Sequence, residues 1–357
     1  MKKIASIISV FILLALFTAC GSDNEQKGAE KAAANSGKKV SVVATIYPQY
    51  AWLKEILGNR AESMGLTLLI KNGMDLHSYK PSAQDIATIA KADMVVYVGG
   101  ESDEWIEKAL EATPNESRVA LNLMEALGDR VKEEEIVEGM QAEEETKEEQ
   151  SDSTSTSLRA DGEAIQNEGH EHHHHEEEVE NDEHVWLSLK NAEILVNALA
   201  QAVSKLDTVN ANEYSANATA YTAKLKELDE AYNAMAAEAN HKTVLFGDRF
   251  PFRYLVDDYG IKYYAAFVGC SAESEASFET VAFLANKMDS LALPAIFTID
   301  GSDAKIAKAI LAASKKSKNA EVLTLNSMQS IKAAQMDSLD YLGMMRENLE
   351  VLKKALK

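Results

Sequence analysis

The stretch Met94-Val95-Val96-Tyr97-Val98-Gly99-Gly100 decides the fold. Its apolar run shows no alternation and stops at a glycine pair. It is too short for a buried helix and apolar on both sides of the chain, the pattern of a strand covered on both faces. Upstream, Pro81 opens a helix with Ile86, Ile89 and Ala90 on one face. Before it, strands are expected at 40–46 and 66–70, separated by a helix from Pro48 through Leu57. Downstream, Trp105, Ile106 and Leu110 mark another helix, and 118–121 reads as a fourth strand. Continuous apolar strands alternating with helices predict a parallel sheet with helices on both faces.

A second block repeats this order. Strands are expected at 243–246, 261–267, 295–299 and 321–325, with helices near 251–258, 277–289 and 303–314. A last helix carries Leu342, Met345, Leu349, Leu352 and Leu356 on one face. Helical stretches at 192–206 and about 211–239 lie between the blocks and form a spine. The expected fold is α/β: two Rossmann-like lobes, each a four-stranded mainly parallel sheet with helices on both faces, joined by a long helical spine. Ligands of open α/β sheets lie beyond the strand carboxyl ends, which in two facing lobes is the cleft.

The remaining segments read differently. Lys2 and Lys3 precede a short apolar run that ends in Phe17-Thr18-Ala19-Cys20, so residues 1–19 form a signal peptide and Cys20 a lipid anchor. Residues 20–39 form a flexible tether. The predicted organisation continues with an N-terminal lobe at 40–130, a disordered acidic insert at 131–183, a second-ligand segment and spine at 184–240, and a C-terminal lobe at 241–357. With Cys20 lipidated, Cys270 has no disulfide partner and reads as a small buried residue. From 132 to 183 twenty acidic residues face three basic ones, which accounts for most of the formal net charge of −21. No basic stripe is present to meet phosphates, which argues against nucleic acid as a partner.

Six of the eight histidines lie between 170 and 184. The tract His170-Glu171-His172-His173-His174-His175, with three glutamates after it, has the composition of a loose metal-capture loop. His77 falls in a strand-to-helix loop and His184 just before a helix; neutral imidazole suits zinc and its neighbours.

The chain resembles the metal-binding receptors of zinc and manganese ABC importers. The resemblance rests on His77-Ser78-Tyr79-Lys80-Pro81-Ser82, Asp85-Ile86, Ala92-Asp93 with its apolar strand, Glu104-Trp105-Ile106, and Asp182-Glu183-His184-Val185-Trp186-Leu187, with Tyr47-Pro48 and Asn191-Ala192 in support. Glu183 stands where those receptors carry proline. The acidic histidine-rich loop is similar to that of the zinc-specific members. The resemblance implies two lobes, a rigid spine, a cleft metal site with His77 and His184 as ligands, and no catalysis. It also implies an ABC permease with its ATPase as partners and an extracytoplasmic, membrane-tethered monomer. Zn2+ is the expected cargo, with Mn2+ as the other candidate.

The second lobe departs from the pattern. Arg249 stands at the third-ligand position and cannot ligate a cation, and Asn326 stands at the fourth, where an aspartate is usual. Asp248, Glu273, Glu275 or a loop histidine are the candidate replacements. Arg249 is expected to pair with a carboxylate near the site, or with Asp257 or Asp258. Two other readings stay open: a receptor for an anionic solute or metal chelate held by Arg249, and a zinc metallohydrolase, against which no His-Glu-x-x-His helix is found. An adhesin or metal buffer is a further option.

Overall fold

The computed structural model describes residues 40–141, 180–271, 275–336 and 338–357. Eight strands in it form two sheets of identical order. The first holds β1 (Val42–Ala44), β2 (Leu66–Leu68), β3 (Met94–Tyr97) and β4 (Val119–Asn122), arranged β2-β1-β3-β4. The second holds β5 (Thr243–Phe250), β6 (Lys262–Val268), β7 (Ala295–Ile299) and β8 (Glu321–Leu325), arranged β6-β5-β7-β8. Every pairing in both sheets is parallel.

The continuous apolar strands follow from burial on both faces. Successive side chains point to opposite sides of a strand. In β1 and β3, Val42, Ala44, Met94 and Val96 enter the central core, while Val43 and Val95 enter a separate cluster with Ile89 and Ile106. The second sheet divides alike: Val244, Phe246 and Phe297 face the centre, and Leu245 and Ile296 pack outward with Leu284 and Ile310.

Helices α1 (Tyr47–Leu57), α2 (Ala83–Lys91), α3 (Glu104–Ala112) and α4 (Leu123–Leu127) belong to the first sheet. The spine is α5 (Leu189–Leu206) followed by α6 (Ala211–Glu238). The 28 residues of α6 give it a length of about 42 Å. It packs on α5 and on α1, and also on the terminal helix of the chain. Around the second sheet lie α7 (Arg253–Asp258), α8 (Phe278–Leu291), α9 (Lys305–Ala313) and that terminal helix, α10 (Tyr341–Leu356). Among the described residues no helix is long and apolar enough to cross a membrane.

Both ends of the predicted disordered insert are ordered: residues 131–141 and 180–182 lie against the second lobe, and Glu183 against Ser102 of the first. Glu133 and Asn181 form an antiparallel bridge. The Glu134 N–H donates to Glu180 O at 2.7 Å, and Asp182 N–H to Lys132 O at 2.8 Å. Tyr254 Oη and Ala266 O accept from Lys132 and Gln141 respectively. Partners supplied by the folded lobe outweigh the low apolar content of this segment. The signal peptide, Cys20, the tether and the tract His170–His175 lie outside the described residues.

Asp103, fully buried behind β3, gives a test of this lobe. Its Oδ2 accepts from Val98 N at 2.5 Å, and its Oδ1 has no hydrogen-bond partner. Burial, aided by the nearby Glu183 charge, pushes its carboxyl up to about 7 despite the Val98 N–H. The folded pKa is therefore raised above the unfolded value. The contribution is fully present below the unfolded pKa near 3.8 and is lost as pH rises through about 7. Asp103→Asn should remove a slope of up to about 1.4 kcal/mol per pH unit between these limits. Urea midpoints measured from pH 4 to 7 check this; an unchanged slope would contradict it.

Candidate metal centre

Both sheets turn their strand carboxyl ends to one place, and the loops leaving them carry the polar residues. His77 lies in the single 3-10 turn Leu76–Ser78 after β2, whose N-cap Asp75 accepts from His77 N at 3.0 Å. His184 ends the returning arm of the insert, just before the turn Val185–Leu187 and α5. Their side chains are 5% and 0% exposed. The two Nε2 atoms are 3.0 Å apart. Two nitrogens on one tetrahedral zinc, each about 2.0–2.1 Å from it, are about 3.3–3.4 Å apart.

The outer ring nitrogens are engaged. Asp182 Oδ1 accepts from His184 Nδ1 at 2.9 Å and from His184 N at 2.8 Å. A carboxylate only accepts, so the His184 proton sits on Nδ1 and its Nε2 lone pair faces inward. His77 Nδ1 lies 2.7 Å from Ser102 Oγ. Burial first, then His184 and Arg249, hold the His77 imidazole well below its usual pKa and therefore neutral. With the His77 proton on Nδ1 toward Ser102, both Nε2 lone pairs converge on one point.

Glu183 is also buried. Its Oε1 accepts from Ser102 N at 2.8 Å, while Oε2 lies 3.7 Å from His77 Nδ1 and has no hydrogen-bond partner. Burial raises the Glu183 carboxyl pKa, against the Ser102 hydrogen bonds. The residue that replaces proline here thus packs against the ligand loop. A side chain at Gly100 would collide with it, at 2.2 Å from Oε1.

Of the two pairings expected for Arg249 the structure shows the one with a carboxylate near the site, and not the one with Asp257 or Asp258. Arg249 Nη2 forms a tight ion pair with Asp75 Oδ2 across the cleft, and its Nη1 donates to Ser271 O at 3.4 Å. A register shift in β5 between Phe246 and Arg249 re-aims the side chain, as bulges do. Asp257 instead pairs with Lys132, and Asp258 accepts from Ser188 Oγ.

Among the described residues the candidate replacements are not brought to the histidines. Asp248 accepts from Arg249 N and, at 3.5 Å, from Ile299 N, which turns it along β7. Glu275 is exposed and lends its charge to Lys305. Glu273 lies outside the described residues. Asn326 Oδ1 accepts from Met328 N at 2.8 Å, and its backbone is bonded to Asn348.

Two other residues occupy the place. Cys270, on the turn after β6, joins His77 and His184 in a group whose ligand atoms all lie within 4.8 Å of one another. Gln329, after β8, places Nε2 2.8 Å from His77 Nε2 and 2.9 Å from His184 Nε2. Its Oε1 is buried without a hydrogen-bond partner. Cys270 had one signal in the sequence, a Gly-Cys pair directly beyond a strand carboxyl end. Gln329 had none beyond lying three residues past Asn326.

Known proteins match this chain over nearly its whole length. A family model described as zinc-uptake complex component A, periplasmic, covers residues 42–355. The chain is 28% identical over 356 residues to the high-affinity zinc uptake system protein ZnuA of Bacillus subtilis, covering 99% of this chain and 98% of that one. It is 28% identical to the zinc-binding lipoprotein AdcA of Streptococcus pneumoniae, of which it spans 61%. The crystal structure of the metal-dependent lipoprotein YcdH of B. subtilis superposes with a TM-score of 0.65 at 25% identity, covering 89% of this chain and 99% of that one. The zinc-binding protein TroA of Treponema pallidum shares the fold, with a TM-score of 0.67 at 22% identity. With its two equal-order sheets, its helical spine and a family match from 42 to 355, this chain belongs to the zinc-uptake complex component A family.

Proposed function

We propose that this chain is the extracytoplasmic receptor of a zinc ABC importer, taking Zn2+ in the cleft and delivering it to a permease driven by its ATPase. The carrying observation is the buried pair of imidazoles with Nε2 atoms 3.0 Å apart and outer nitrogens held by Asp182 and Ser102. Nitrogen-rich ligation favours zinc over manganese. The arrangement suits cargo more than catalysis, because a catalytic zinc keeps a position open to substrate and these rings are enclosed. The anionic-solute reading loses its support because Arg249 already has a carboxylate partner in Asp75.

In this reading Cys20 carries lipid and holds a monomer to the membrane, and His170–His175 gather metal for the cleft. A competition titration against a chelator tests the cleft and loop assignments together. The protein would comprise residues 38–357 with 142–179 replaced by a short glycine linker, a boundary that keeps the ordered arms. One tight zinc site per chain should remain, and in cells carrying the full chain with the same loop replacement and Cys20 intact, uptake should fall only at scarce zinc. Loss of the tight site would overturn the cleft assignment; unchanged uptake at scarce zinc would overturn the loop's role.

A further inference from the structure

The geometry points to Cys270 and Gln329 as the second-lobe half of the metal site, making it a two-histidine, one-thiolate centre with an amide oxygen as fourth donor. This rests on the zinc-receptor reading and specifies its chemistry.

The positions left by Arg249 and Asn326 need not be filled from the same places in the chain. They need only be filled at the same place in space. Cys270 Sγ belongs to the compact group with the two histidines, from the opposite lobe. The turn is built for close approach: a side chain at Gly269 would lie 2.9 Å from His184 Cε1 and from Phe250 O. Only glycine there lets the second lobe bring its cysteine against the imidazole. Cys270 N donates to Glu134 Oε1 at 3.2 Å, and the thiol itself donates to the same carboxylate. Glu134 sits in the ordered arm of the insert, so that arm positions the cysteine. On ligation the thiol releases its proton to solvent, and Glu134 keeps the Cys270 backbone N–H.

Gln329 supplies the independent observation. It is 5% exposed, its amide is aimed at both Nε2 atoms, and its Oε1 has no partner. A half-turn of the amide exchanges the two end atoms and presents the carbonyl oxygen to the histidines. A buried acceptor with no donor is costly unless something electropositive meets it. A cation between the imidazoles would do so.

The set is neutral N2 plus S− plus a carbonyl oxygen. Thiolate and imidazole favour zinc over manganese, which prefers oxygen. Each lobe supplies two donors, so the bound ion itself joins the lobes.

The test uses the full chain carrying Cys20→Ala, so that Cys270 is its only thiol. Cobalt(II) is the spectroscopic probe and zinc the competitor. A thiolate-to-cobalt charge-transfer band is expected in the near ultraviolet, displaced by one equivalent of zinc and absent from Cys270→Ser. That variant should bind zinc at least about tenfold more weakly, and Gln329→Leu several-fold more weakly. Should Cys270→Ser fold poorly, zinc protection of Cys270 from alkylation in the parent gives the same answer. A parent that binds one zinc tightly, shows no thiolate band and leaves Cys270 open to alkylation would overturn this ligand set and leave the receptor reading standing. A parent with no tight zinc site would overturn both.

Discussion

Replacing His77 and His184 together with alanine should weaken zinc binding at the cleft by about four orders of magnitude or more. Structural zinc sites carry about 10–16 kcal/mol of apparent binding free energy near neutral pH, or about 2.5–4 kcal/mol per ligand of four. Each histidine is then worth about 10²–10³ in affinity. The single variants should differ less than their burial suggests, because both rings already have their outer nitrogens bound. Competition titration reads the loss directly. Melting in the presence of chelator separates it from unfolding, since His184→Ala also leaves Asp182 without its ring partner. A double variant that still takes one zinc per chain at the parent affinity would place the site elsewhere.

Trp186→Ala should destabilise the protein by about 3–5 kcal/mol, the range for removing a fully buried large aromatic. Trp186 follows His184 by two residues and joins the halves of the molecule. Its indole Nε1 donates to Ser327 O at 2.9 Å, next to the turn that carries Gln329. Its own carbonyl accepts from Tyr341 Oη at 2.7 Å. The Tyr341 ring in turn packs edge-on against Trp52 at 5.1 Å. Truncation therefore leaves a cavity and an unpaired Ser327 carbonyl at once. Trp186→Phe restores most of the volume but not the hydrogen bond, so it should fall between parent and alanine. Urea midpoints measured in chelator, with unchanged slopes, check the order; a midpoint for Trp186→Ala near the parent value would contradict it.

The sheets were legible because their strands are buried twice. Val95 and Val96 face different cores, so both had to be apolar, and the absence of alternation was itself the message. The histidines His77 and His184 were legible because each lies in a local motif with its own cap and helix. The proposed second-lobe donors, Cys270 and Gln329, were not, since nothing local marks a residue that matters only when another lobe arrives. Asn326 shows how the reading slipped. It stands where an acidic ligand was expected, yet its side chain caps Met328 N, and Met328 takes a left-handed backbone with φ 63°. That turn swings Gln329 to the histidines, so the residue at the expected position steers the one that arrives. The ordered arms of the insert were hidden for a related reason. Glu133, Glu134 and Glu135 read as solvated charge, but Glu134 is half-buried against Cys270 and Glu135 Oε2 accepts from Tyr263 Oη.

The Arg249–Asp75 pair has a bearing on traffic through the transporter. Asp75 also caps the turn that carries His77, so one carboxylate serves the grip between the lobes and the posture of the ligand loop. An ion pair of this kind forms from the protein's own charges and needs no cargo. An approach of the lobes held by this pair is therefore a poor label for whether the receptor is loaded. A permease that has to avoid idle cycles must take its cue from something the ion alone supplies, such as the rigidity of the clasp or the rate at which it springs open.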